Sequence, residues 1–313
     1  MKKPANSPVL PPIIVIIFGI LAVSTGSIFV RFAQAAAPSI VIAAYRLAFA
    51  TLFLAPLTLL KYRSGLGLIR GNDRKLAIGS GIFLALHFAT WITSLEFTTV
   101  VSSVVLVSTA PLWVALLSPI TVKEKLARPI LIGMLMAFIG VVIIGVSDVC
   151  SIQDRNLVCP SFNDFIRGEA FLGDLLALIG AWMAAGYLLI GRRLRAGVSL
   201  IPYIFVVYGI AAIVLITFTF ISGNPAFGYP SQTYLWFILL ALIPQILGHS
   251  SFNWALGYLS AAFVSITLLG EPIGSSILAY FLLDETPTKL KIIGAILILA
   301  GIYIAARGEA KSA

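Results

Sequence analysis

Long apolar stretches separated by short polar clusters run with little pause from residue 12 to residue 307. An α-helix rises 1.5 Å per residue, so a hydrocarbon core about 30 Å thick takes roughly 20 apolar residues to cross. Ten stretches meet that length, at approximately 12–33, 38–60, 76–98, 100–120, 129–147, 170–191, 199–222, 233–257, 259–283 and 288–307. Barrel strands would read instead as short alternating segments. The predicted fold class is therefore all-α, a polytopic membrane protein with ten transmembrane helices.

The chain also matches itself at an offset of 161 residues. Gly19 pairs with Gly180, Arg31 with Arg192, Pro111 with Pro272, Glu124 with Glu285, Gly133 with Gly294 and Gly140 with Gly301. These are helix breakers and charges inside apolar runs, so the match marks a duplication. It divides the chain into a five-helix repeat at 11–147, an outer loop at 148–169 and a second five-helix repeat at 170–307. An odd number of spans per copy turns the second copy upside down in the bilayer, the inverted repeat from which many secondary carriers build a central cavity.

Hydrophobic residues make up 60% of the chain and charged residues 11%, with a mean hydropathy of +1.05, far from the composition of a soluble domain. Lysines and arginines fall unevenly. Fifteen lie on the side of the N-terminus and five on the other, which predicts cytoplasmic N- and C-termini. That retention signal accounts for the net charge of +9 without nucleic acid as a partner. Lys2, Lys3 and the Ala33-Gln34-Ala35 segment resemble a cleavable signal. Removing the first span would leave the sixth without its counterpart, so it is read as a retained helix. Cys150 and Cys159 both fall in the outer loop, where disulfides persist, and are candidates for a structural bridge or for two unpaired thiols.

Ionisable and polar groups inside spans are costly and normally face the bundle interior. Glu271 lies about twelve residues into the ninth span, roughly 18 Å along the helix and near mid-bilayer. Pro272 follows it and removes a backbone donor. A carboxyl at that depth either holds helices together or exchanges a proton during transport. Arg46, about eight residues and roughly 12 Å from the outer end of the second span, either pairs with an acid such as Glu271 or binds a substrate carboxylate; the structural pair is the favoured reading. In the eighth span Gln245, His249 and Asn253 recur every four residues, followed by Trp254, while His87 and Trp91 sit one turn apart in the third span of the other copy. Together these eight residues are the candidate cavity lining, with Pro111 and Pro272 as candidate hinges. Glu124 and Glu285 are expected to cap the helix that follows each, with gating as a lesser alternative.

The order and spacing of Tyr45-Arg46-Leu47, Ala110-Pro111, Glu124, Gly270-Glu271-Pro272 and Glu285 resembles the drug/metabolite transporter superfamily in its EamA branch, across nearly the whole chain. The resemblance implies a secondary carrier for amino acids or other small metabolites, an exporter of the bacterial inner membrane, with a central cavity between its halves. Alternatives are a carrier for a nucleoside, vitamin or sugar derivative, or an assembly protein that moves no solute.

Absences narrow the field. No G-x-x-x-x-G-K-[ST] phosphate cradle occurs, so ATP is not an expected partner. With two histidines five spans apart and no H-E-x-x-H or G-x-S-x-G, neither a metal site nor an enzyme is expected, and no cofactor is implied. The expected partners are a small-molecule substrate and the lipid bilayer, with the protein a monomer or homodimer.

Overall fold

The computed structural model describes residues 8, 10–98, 100–124, 126–149, 151–153, 156–158, 169–283 and 289–312. Apolar runs become helices because a chain without water around it must pair its backbone groups within itself. Seven helical stretches among the described residues are long and apolar enough to cross a bilayer: Pro12–Gln34, Ser39–Lys61, Asn72–Phe97, Phe171–Arg195, Leu200–Ile221, Ser231–Ala255 and Ala261–Leu282. The other three expected spans coincide with shorter apolar helices, Ala110–Thr121, Arg128–Ile143 and Ile292–Gly308. Large apolar side chains such as Phe18, Leu60, Ile120, Ile213 and Phe281 are exposed on the outside of the bundle, as a lipid-facing surface requires.

One departure from an all-helical chain lies in the 148–169 loop. Strands β1 (Ser151–Gln153) and β2 (Asn156–Val158) pair antiparallel, with Ser151 opposite Val158. Cys150 and Cys159 lie outside the described residues.

Several spans are interrupted, and the interruptions follow the sequence. The first breaks between α1 (Pro12–Val23) and α2 (Gly26–Gln34), where Ser24 Oγ donates to Ile20 O at 2.7 Å and Thr25 Oγ1 to Ala22 O at 2.8 Å. Such back-bonding competes with the helical ladder and bends helices. The fourth span breaks at Ser108–Thr109, just before Pro111, between α6 (Val100–Val107) and α7 (Ala110–Thr121). The ninth passes through a 3₁₀ turn at Leu268–Gly270, just before Pro272. Residues 108–109 and 269–270 are repeat mates, so both copies break in the same place. The eighth span adds a π-helical stretch, Ala241–His249, around Pro244.

Contacts between the copies are reciprocal. α8 (Arg128–Val149) crosses the last helix, Lys289–Ser312, on glycines: Gly133 faces Gly301 and Gly140 faces Gly294, so the two helices run antiparallel. A Cβ on Gly140 would sit 2.5 Å from Gly294 O, and one on Gly133 closer still to Gly301 O. A Cβ on Gly19 would sit 3.0 Å from Ser251 Cβ and one on Gly180 3.2 Å from Thr90 Oγ1, again repeat mates on both sides. The buried core fills this interface, with Phe88, Tyr203, Tyr208, Phe252 and Phe263 among its largest side chains.

Because glycine alone permits that backbone approach, Gly301→Ala is expected to destabilise the protein by about 1–3 kcal/mol through overpacking. Gly197→Ala, in open space, is expected to leave it unchanged. Thermal unfolding in detergent measures both, and equal melting temperatures would refute the close crossing.

Candidate functional site

A cavity lies where the two copies meet, holding about 60 Å³ of space for water centres. A single water needs roughly 10–15 Å³ on that measure, so this conformation admits several waters and has to widen for a larger solute. Its wall includes Arg46, His87, Trp91, His249 and Glu271, five of the eight residues singled out in the sequence. Five pairs of repeat mates line it: Val23 and Ala184, Trp91 and Phe252, Val107 and Leu268, Ser108 and Leu269, and Ala110 and Glu271.

Arg46 comes from α3 (Ser39–Lys61) and is 1% exposed. Its Nε donates to Gln245 Oε1 at 2.8 Å, and its guanidinium carbon lies 4.0 Å from the centre of the Phe88 ring, a cation–π contact. Arg46 and Glu271, the pair favoured in the sequence reading, line the same cavity and feel each other's charge without coming within the 4.0 Å of a direct ion pair, such as Arg192 makes with Glu124. Gln245 occupies the place of the acid because the π-helical winding around Pro244 carries it to Nε. The guanidinium Nη1 and the Gln245 Nε2 are both buried without a hydrogen-bond partner.

His87 Nδ1 lies 2.9 Å from Gly180 O. A carbonyl only accepts, so Nδ1 carries the hydrogen and the neutral ring presents Nε2 as an acceptor. The His87 ring stacks on Trp91 at 6.1 Å and 2°, and His249 stands 6.4 Å from it and 5.2 Å from Phe88, edge-on. Aromatic faces thus make up one side of the cavity.

Three predicted lining residues sit elsewhere. Gln245 stands behind Arg46. Asn253 Nδ2 donates to the hydroxyl of Tyr187 and, at 2.8 Å, to His249 O, so it orders the wall from behind. Trp254 packs on Tyr258 at 4.6 Å. The four-residue spacing assumes a uniform α-helix, whereas π winding takes more residues per turn and rotates the stripe as it advances. Sequence reasoning misses Tyr187, Phe252 and the 107–108 and 268–269 turns. Applying the 161-residue offset to Trp91 finds Phe252. Pro111 lies on the cavity wall and Pro272 directly follows Glu271, each just past its helix break.

The sequence reading of Glu124 as a cap on the helix after it, α8, is corrected by the structure. Its Oε2 instead accepts the Ala261 N–H at 3.0 Å, at the start of the ninth span, and its Oε1 takes Arg192 Nε at 2.5 Å. Arg192 Nη1 also donates to Leu256 O at 2.7 Å. One carboxylate therefore ties the loop after α7, the end of the sixth span, and the turn between spans eight and nine at one end of the bundle. Glu285 lies outside the described residues.

The EamA-like transporter family model matches the chain twice, over residues 10–146 and 171–307, the two halves read from the internal offset. An uncharacterized transporter of Archaeoglobus fulgidus is 24% identical over 223 residues, covering 71% of this chain and 72% of its own. A second from the same organism is 26% identical over 270 residues, 86% and 88% of the two chains. The uncharacterized transporter sll1164 of Synechocystis is 28% identical over 229 residues, 71% of this chain and 62% of that one. A solved crystal structure superposes with a TM-score of 0.73 at 17% identity, over 96% of this chain and 98% of the other, and so shares the fold.

Truncating the Arg46 partner exposes how the site is held. Gln245→Leu leaves a buried cation without its hydrogen bond and is expected to cost about 1–3 kcal/mol, read as a fall in melting temperature. A melting temperature equal to wild type would show that Gln245 does not hold the guanidinium.

Proposed function

The chain belongs to the EamA-like transporter family, and we propose that it is a secondary carrier exporting amino acids or similar small metabolites across a bacterial inner membrane by alternating access. The supporting observation is the central cavity itself: Arg46, His87, Trp91, His249 and Glu271 converge on it, among five pairs of repeat mates. The antiparallel meeting of equivalent helices, Gly133 with Gly301 and Gly140 with Gly294, supports ten spans arranged as two inverted copies.

The excess of Lys and Arg puts both termini in the cytoplasm. Glu124 and Arg192 then close the cytoplasmic end. Their repeat mates in the sequence are again a glutamate and an arginine, Glu285 and Arg31. Helix breaks beside Pro111 and Pro272 are the bending points, because a span without a continuous ladder bends cheaply there. Rocking about them widens the cavity toward one face while the other closes. Among the described residues Glu271 is the one carboxyl on the cavity wall, and it is the proposed proton carrier for coupling.

Purified protein in proteoliposomes, loaded with radiolabelled amino acids and assayed by counterflow, tests this reading. Glu271→Gln is expected to slow flux by roughly tenfold or more, within the range for loss of a proton-transferring group, and to remove its pH dependence. Undiminished, pH-dependent flux in the variant would remove Glu271 from coupling. No flux of any solute in wild type would remove the carrier reading.

A further inference from the structure

Three buried hydrogen-bond donors on or just behind the cavity wall lack an acceptor. Arg46 Nη1, Gln245 Nε2 and Trp91 Nε1 are all buried donors without a partner, and Arg46 and Trp91 both line the cavity. A Cβ on Gly26 would meet Trp91 Cη2 at 3.8 Å and Arg46 Nη1 at 4.0 Å, so the benzo edge of the indole and the guanidinium flank the same glycine. Gln245 cannot turn its amide to relieve this, because Nε of arginine only donates and requires the carbonyl oxygen toward it. Buried polar groups are normally paired, so a cluster of unpaired donors, one of them cationic, is a site waiting for an acceptor.

We infer that Arg46, with Trp91 beside it, is the subsite that takes the carboxylate of the transported solute. Phe88 covers one face of the guanidinium and Gln245 takes Nε, so the Nη edge is left for a ligand. A carboxylate matches that edge with two parallel hydrogen bonds and neutralises the charge. A sugar or nucleoside hydroxyl accepts a bond but does not match that edge with two parallel charge-assisted ones. Nothing among the described residues hydrogen-bonds the Glu271 carboxylate, which opens on the same cavity and complements an ammonium group. The preferred solute is thus small and zwitterionic, and its two charges fix which way it lies. The inference rests on the carrier reading, and it selects among the solutes that reading allows.

The test can be run before the solute is identified. In a background with Cys150 and Cys159 replaced by serine, Ser108→Cys places a thiol on the cavity wall. Its rates of modification by a sulfonate-bearing and by a trimethylammonium-bearing methanethiosulfonate of similar size report the local charge. The anionic reagent is expected to react roughly tenfold faster, as a unit charge nearby at intermediate dielectric implies. Gln245→Glu, which sets a carboxylate against Arg46 at nearly constant volume, is expected to abolish that preference, as is Arg46→Gln. In parallel, thermal stabilisation of the wild-type protein is compared for each of a panel of amino acids and its carboxamide, and free acids alone are expected to stabilise. Equal rates for the two reagents, a preference unmoved by Gln245→Glu, or stabilisation by amides as strong as by acids would overturn the subsite. A thiol that neither reagent reaches from either face would instead overturn the carrier reading on which it depends.

Discussion

A buried guanidinium has to be wrapped in protein, and the wrapping of Arg46 ties this molecule together. Insertion of such a charge costs roughly 2.5–3.5 kcal/mol even on lenient scales. Arg46 and Phe88 come from the first copy and Gln245 from the second. The covering of the charge is therefore shared, and neither copy satisfies it alone. Gln245 reaches across because Pro244 sits in a π-helical turn, a local irregularity with a mid-bilayer consequence. The glycine crossing of α8 on the last helix does the corresponding work away from the cavity, using backbone approach where polar contact is absent.

On this nearly symmetric frame the chemistry is asymmetric. Five pairs of repeat mates line the cavity, but the repeat mate of Arg46 is Val207 and that of Glu271 is Ala110. Duplication supplied two equivalent walls and two equivalent helix breaks, and substitution placed one cation and one carboxyl on the cavity wall. A symmetric frame suits a cavity that must face either side in turn. An asymmetric lining suits a solute that must lie one way round.

Much of the architecture is legible in the sequence because bilayer thickness fixes helix length and the 161-residue offset fixes the division into halves. Arg46, His87, Trp91, His249 and Glu271 are legible for the same reason, since a polar group in an apolar run has few places to go. Other features depend on details that periodicity does not carry. The pairing of Arg46 with Gln245 in place of Glu271 follows from π winding, which four-residue counting cannot register. That same counting puts Asn253 on the cavity, where the structure sets it behind the wall. The Glu124 carboxylate is assigned by chain order to the helix nearest in sequence, whereas it serves Ala261 and Arg192, which are distant in the chain and adjacent in space. Phe252 escapes notice because an apolar residue in an apolar helix gives no signal until the offset is applied to Trp91.

In the proposed cycle the contact made by Glu124 has to part each time the cavity opens to that face. Cysteines introduced at Glu124 and Ala261, in a background without Cys150 and Cys159, can be joined by a short thiol-reactive cross-linker that a reductant cleaves. Solute counterflow in proteoliposomes is then measured before cross-linking, after it and after cleavage. The account expects flux to cease on cross-linking and to return on cleavage. Flux that continues undiminished through the cross-linked protein would contradict it.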